Sequence, residues 1–201
     1  MADQSILSFA TIAATLFIAE LTDKDALLLI AVSSKVKARL AFSAGAAAFA
    51  ITTTIIVAAG SLIVAVVPVG WIRLAGGVVM LGYGIWEARG VMGKATVGRE
   101  ESRIARTGSG WRVFFALLAS LALLDLAGDA TEVLTVVFVA QYGSLLFVFS
   151  SVYLGLISAV AVETVLGNRL GKLITPRRLR IGSAAIFVLL GLAIIILGTI
   201  L

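Results

Sequence analysis

The stretch LFIAELTDKDALLLI, residues 16–30, sets Glu20, Asp23, Lys24 and Asp25 inside an otherwise apolar run. That run extends from about residue 6 to residue 32, more than the roughly 20 residues a helix needs to cross a bilayer. A second stretch, LALLDLAGDATEVL at 121–134, carries Asp125, Asp129 and Glu132 in the same kind of surroundings. An ionisable side chain near the bilayer centre costs roughly 2.5–3.5 kcal/mol on insertion scales, so two such clusters mark functional positions.

The chain around them is built for the same solvent. Its 201 residues are 61% hydrophobic and 13% charged, with a mean hydropathy of +1.13, whereas soluble domains carry roughly 25% charged residues. Six apolar runs, about 6–32, 40–66, 71–88, 112–140, 144–167 and 180–200, use nearly the whole length and leave no room for a soluble catalytic domain. The start MADQSILSF lacks a basic n-region, and no small-residue cleavage site follows the apolar run, so the first run is expected to be a permanent span. Cys and His are both absent, which excludes disulfides, thiolate metal sites, nucleophilic Cys and imidazole acid–base chemistry. The net charge of +5 and pI near 10.0 do not imply a nucleic-acid partner, because the basic residues fall in membrane loops rather than on one soluble face.

Those loops predict the orientation. Lys35, Lys37 and Arg39 follow the first run, Arg89 to Arg112 surround the central polar stretch, and Arg169 to Arg180 follow the fifth run, whereas Arg73 lies on the other side. The positive-inside rule then puts both termini outside and the central loop in the cytoplasm, with a prokaryotic plasma membrane as the default location. The polar segment 90–110 divides the chain into halves, 1–89 and 111–201, each with three runs. Setting LFIAELTDKDALLL against LALLDLAGDATEVL with a one-residue shift pairs Asp23 with Asp129, 106 positions apart, and aligning RLAGGVVMLGYGIW (73–86) with RIGSAAIFVLLGLA (180–193) pairs Arg73 with Arg180, 107 apart. An odd number of spans per half inverts the second copy. The expected fold is an all-α integral membrane protein of six transmembrane helices arranged as two inverted three-helix repeats, the pattern of secondary transporters.

On a continuous helix Glu20, Asp23 and Lys24 share a face and Asp25 points about 140° from Glu20, while Asp125, Asp129 and Glu132 form one stripe at i, i+4 and i+7. Lys24 cannot ligate a cation and reads as an internal counter-charge. Thr22 and Gly128 sit just before the paired aspartates, with Thr131 two residues after Asp129; Gly128 permits a helix break that frees carbonyls as further ligands. Thr52, Thr53 and Thr54 read as packing hydroxyls, and Trp71, Trp86 and Trp111 as interfacial anchors. Glu163 is evenly balanced between a transport role and snorkelling towards the basic loop that begins at Arg169. Only carboxylate, hydroxyl, carbonyl and water ligands are available, which favours hard divalent cations such as Ca²⁺, Mn²⁺ or Mg²⁺. Carboxylates held close repel one another unless protons or a cation lie between them, so a site alternately filled by either is an exchanger. A cation channel lined by the same acids is the alternative, and an intramembrane aspartyl hydrolase using Asp23 and Asp129 is a more remote one.

The sequence Glu-Leu-Thr-Asp-Lys-Asp at 20–25 resembles the Glu-x-Gly-Asp-Lys-Thr/Ser signature of the GDT1/TMEM165 family, and Leu-Ala-Gly-Asp-Ala-Thr-Glu at 126–132 is similar to its second copy. The resemblance covers almost the whole chain and implies a cation/proton antiporter moving Mn²⁺ and Ca²⁺, with Glu20, Asp23 and Asp129 as ligands and Lys24 as a motif residue. Departures are Thr22 for the motif Gly, Asp25 for Thr or Ser, Leu126 for the second Glu and Ala130 for the second Lys. Asp125 or Glu132 would have to replace the acid lost at 126, and a one-residue displacement turns a helical side chain by about 100°. The reading is therefore a non-enzymatic exchanger of Mn²⁺ and/or Ca²⁺ for protons. Its metal residues are Glu20, Asp23, Asp125, Asp129 and Glu132, and its accessory residues Thr22, Lys24, Asp25, Gly128, Thr131 and Glu163. It expects no prosthetic group. Its partners are divalent cations, protons and membrane lipid, with a homo-oligomer compatible and no nucleic acid.

Overall fold

The computed structural model describes residues 2–21, 23–88, 103–104, 110–127, 130–170, 185 and 187–196. Apart from 103, 104 and 110, the linker 90–110 lies outside them. Among the described residues the elements are all helices: α1 (Ala2–Glu20), α2 (Lys24–Ser33), α3 (Ala38–Val66), α4 (Val69–Ala88), α5 (Gly110–Asp125), α6 (Ala130–Tyr142), α7 (Leu145–Leu170) and α8 (Phe187–Ile196).

Local chemistry accounts for the boundaries. Val67, which precedes Pro68, is extended (φ −111°, ψ 126°) and ends α3, because the proline ring disfavours helical backbone in the residue before it. The Pro68 carbonyl then accepts from Trp71 and Ile72 to open α4. Between α6 and α7 the chain turns at Gly143, whose φ of 67° is left-handed, while its N–H bonds the Val139 carbonyl, as at a glycine C-cap.

Two unbroken helices, α3 and α7, are long and apolar enough to cross a membrane, each with a mean hydropathy of 2.3. The pairs α1–α2 and α5–α6 each pass the same test together but bend by 69° and 64° at their breaks, so four spans are counted if each bent pair is one. Over the residues used for that count, α4 and α8 are shorter apolar helices. Large apolar side chains such as Leu62, Val66, Trp71, Trp111, Leu123 and Leu146 face outward, the surface a lipid solvent requires. The side chain of Trp86 lies outside the described residues.

Packing is crosswise between the halves. The long helices α3 and α7 lie against each other, α1 and α2 pack on α7, α5 and α6 pack on α3, and α4 packs on α6. Small residues set these approaches, since they let helix backbones meet closely. A Cβ on Gly155 of α7 would collide with the Ala13 carbonyl of α1, and one on Gly167 with the Ile30 carbonyl and Ser33 of α2. Gly60 of α3 lies on Val136 and Val139 of α6. Gly60 and Gly167 are 107 positions apart, the separation of Arg73 and Arg180, and each seats its helix on the second limb of the other half's bent span.

Candidate ion site at two helix breaks

Both acidic clusters sit where a span breaks. Helix α1 ends at Glu20, whose carbonyl accepts from the Asp23 N–H at 3.0 Å. Asp23 is extended (φ −88°, ψ 173°) and caps α2, its carboxylate accepting from the Lys24 N–H; aspartate is among the best residues for that position. The same Oδ1 accepts from the Tyr83 hydroxyl of α4 at 3.0 Å, and Tyr83 packs edge-on against Phe187 of α8, centroids 5.0 Å apart. The continuous-helix reading that set Asp25 about 140° from Glu20 is overturned: the break re-aims α2, and Asp25 is buried beside the other acids.

The second break corrects the expected stripe in the same way. Helix α5 ends at Asp125, where the Leu126 and Ala127 N–H groups bond back to Ala122 and Leu124, and α6 restarts at Ala130. Asp125 and Glu132 therefore belong to different helices. Asp125 Oδ1 accepts from Thr131 Oγ1 at 3.4 Å, and the buried Thr52 of α3 lies close to the same carboxylate while its hydroxyl donates to the Phe49 carbonyl at 3.5 Å. Thr54 is exposed and bonds the Ala50 carbonyl. Leu126, at the position of the second-motif Glu, is 41% exposed. Thr22, Gly128 and Asp129 lie outside the described residues.

Five carboxylates are buried together: Glu20 and Glu163 are 0% exposed, Asp25 and Asp125 1%, and Asp23 2%. They come from α1, the first break, α2, α5 and α7, near enough to act on one another electrostatically. Lys24, half-buried, acts on Asp25 and Asp125 with the opposite sign. Glu132 is half-buried in the first turn of α6 and stands outside this buried set. Both oxygens of Glu20, Asp25 and Glu163, with Oδ2 of Asp23 and of Asp125, have no hydrogen-bond partner among the described residues. The acids share one field without closing into one coordination sphere: among the described residues no three of them converge as a metal-binding group. Sequence reasoning passed over Tyr83, since a tyrosine 60 residues from the first motif gives no signal of contact with it. Thr52 was at least visible as a hydroxyl on a buried helix.

A helical membrane protein whose two bent spans carry buried acids, most of their oxygens without a hydrogen-bond partner among the described residues, has the features of a membrane ion transporter. Residues 8–94 and 111–199 match the family described as Divalent cation/proton antiporter GDT1, and the chain belongs to that family. No curated protein and no solved structure matches the chain. It is thus an integral membrane protein of a transporter family whose substrates are divalent cations and protons.

Proposed function

We propose that the chain exchanges Mn²⁺ and/or Ca²⁺ for protons through a midmembrane site built from Glu20, Asp23, Asp125 and Asp129. The observation that carries this reading is the set of buried carboxylates whose oxygens lack donors. An unpaired buried charge costs several kcal/mol, so the acids together require protons or a cation, and each relieves the need for the other. Asp23 and Asp125 are held through Oδ1, which leaves Oδ2 of each for the ion. Thr131 orients Asp125, and Lys24 supplies positive charge when the ion has left. Gly128, just before the second paired aspartate, supplies backbone freedom, with Thr22 at the matching position of the first motif.

Asp125 takes the place of the missing second-motif Glu. It ends α5 as Glu20 ends α1 and is buried as Glu20 is. Two inverted repeats, 1–89 and 111–201 joined by a cytoplasmic linker at 90–110, then rock about the site with both termini outside the plasma membrane. The crosswise packing and the matched Gly60 and Gly167 seats support that arrangement.

The test is Mn²⁺ and Ca²⁺ uptake into proteoliposomes under an imposed pH gradient, comparing wild type with Asp23→Asn and Asp129→Asn. Gradient-driven uptake with reciprocal proton flux, lost in both variants, is expected. Uptake indifferent to the pH gradient would refute exchange in favour of a pore.

A further inference from the structure

Helix α7 carries one acid, Glu163, outside both acidic motifs. Snorkelling does not describe it: Arg169 is exposed near the helix end while Glu163 is 0% exposed, with neither oxygen hydrogen-bonded among the described residues. Its charge acts on Glu20, Asp23 and Asp25, the acids of the first break. The glycines explain how it gets there. Gly155 seats α7 on α1 and Gly167 seats it on α2, so the stretch between them follows the bent span past its break.

The opposite crossing is built differently. The position 107 residues before Glu163 is Ile56, a buried apolar residue of α3, and α3 contains no Asp or Glu. Where α7 brings a carboxylate to the first break, α3 brings to the neighbourhood of Asp125 at the second only the buried, uncharged Thr52. One negative charge therefore distinguishes the two crossings.

We propose that Glu163 is a fifth carboxylate of the ion site, supplied by α7 to the first break, and that it sets the preference for divalent over monovalent cations. The inference rests on the exchanger reading above and adds to it a residue from outside the motifs. Carboxylate count tunes affinity for hard divalent ions, and an added negative charge attracts a doubly charged ion twice as strongly as a singly charged one. Glu163 thereby raises the gap between Mn²⁺ or Ca²⁺ and Na⁺.

The experiment is calorimetric titration of the purified full chain with Mn²⁺ and with Na⁺, for wild type, Glu163→Gln and Glu163→Asp, each checked for folding by its thermal transition. Glu163→Gln is expected to weaken Mn²⁺ binding about tenfold or more and Na⁺ binding only about threefold, half the free-energy change, and Glu163→Asp, which keeps the charge, to restore most of the affinity. Wild type that binds Mn²⁺ while Glu163→Gln binds it equally well overturns the role of Glu163 alone; wild type that binds no divalent ion overturns the exchanger reading beneath it. Should the glutamine variant not fold, carboxyl modification of the wild-type protein by a hydrophobic carbodiimide, read by mass spectrometry at Glu163, decides the matter. Modification suppressed by Mn²⁺ and not by Na⁺ supports the proposal, and equal modification with and without Mn²⁺ overturns it.

Discussion

Replacing Gly155 by alanine tests whether the close seating of α7 on α1 holds the site together. The added methyl would meet the Ala13 carbonyl oxygen below van der Waals separation, with Leu16 Cβ and the Phe17 nitrogen at 3.1 Å. Two of those three atoms are backbone and cannot rotate away, so the helices must part. Overpacking of this kind costs typically about 1–3 kcal/mol. Alanine also gains about 0.8–1 kcal/mol of helix propensity over glycine, which would mask part of the loss. Gly82 of α4 supplies the correction: it is helical and exposed, and a Cβ there meets nothing within 4 Å. Both variants share the propensity gain, so the difference between Gly155→Ala and Gly82→Ala isolates the clash at about 1–3 kcal/mol. For a chain of this size that corresponds to roughly 2–12 °C between their thermal midpoints in the same detergent, with Gly82→Ala at or above wild type. Equal midpoints for the two variants would refute the close α1–α7 seating, and with it the path by which Glu163 reaches the break.

Asp23→Asn is expected to abolish exchange while leaving the thermal midpoint near wild type, because asparagine caps α2 as well as aspartate; proteoliposome flux and melting are read on the same preparation, and a transporting variant would remove Asp23 from the site. Tyr83→Phe deletes one hydrogen bond to a charged acceptor, worth about 1.5–3 kcal/mol, and is expected to weaken divalent binding without abolishing it; calorimetry showing unchanged affinity would leave the Tyr83 contact without a role. Restoring the motif acid as Leu126→Glu in an Asp125→Asn background is expected not to rescue transport, since position 126 is 41% exposed while 125 is buried, and rescue would show that the acid is read at 126. Protons and cation compete for the same oxygens, so divalent affinity is expected to rise with pH, about tenfold per pH unit for each proton displaced per ion; a titration flat across that range would disconnect the two substrates.

The sequence made the outline legible because the bilayer simplifies the problem. Spans of apolar residues must form helices, since no water is present to satisfy an open backbone, and the runs at 40–66 and 144–167 correspond to α3 and α7. Charges inside such runs stand out against their surroundings, which is why Glu20, Asp23, Asp25 and Asp125 were found without a structure. What periodicity could not supply was relative direction. Every angular argument assumed that the helix continues through the acids, and it stops at Glu20 and at Asp125. Tyr83, whose contact became visible only in three dimensions, reaches Asp23 from a helix that the motif does not include.

The two breaks explain why the acids can be present at all. A helix that stops at the acid places the carboxylate beside backbone groups that no longer bond within the helix, and Asp23 uses this directly by capping α2 with one oxygen. Glu20 stands at the opposite kind of end, the C-terminus of α1, where the helix dipole is unfavourable to an anion and no donor among the described residues reaches it. At the first break Asp23 thus has one oxygen held by the fold, whereas Glu20 has neither held among the described residues. The second break repeats the C-terminal element with Asp125, which accepts from the Thr131 hydroxyl, whereas the first has Glu163 beside it. In the exchanger proposed above, similar helices with unequal charges would supply two similar ways to open and one place where a divalent ion is held hardest.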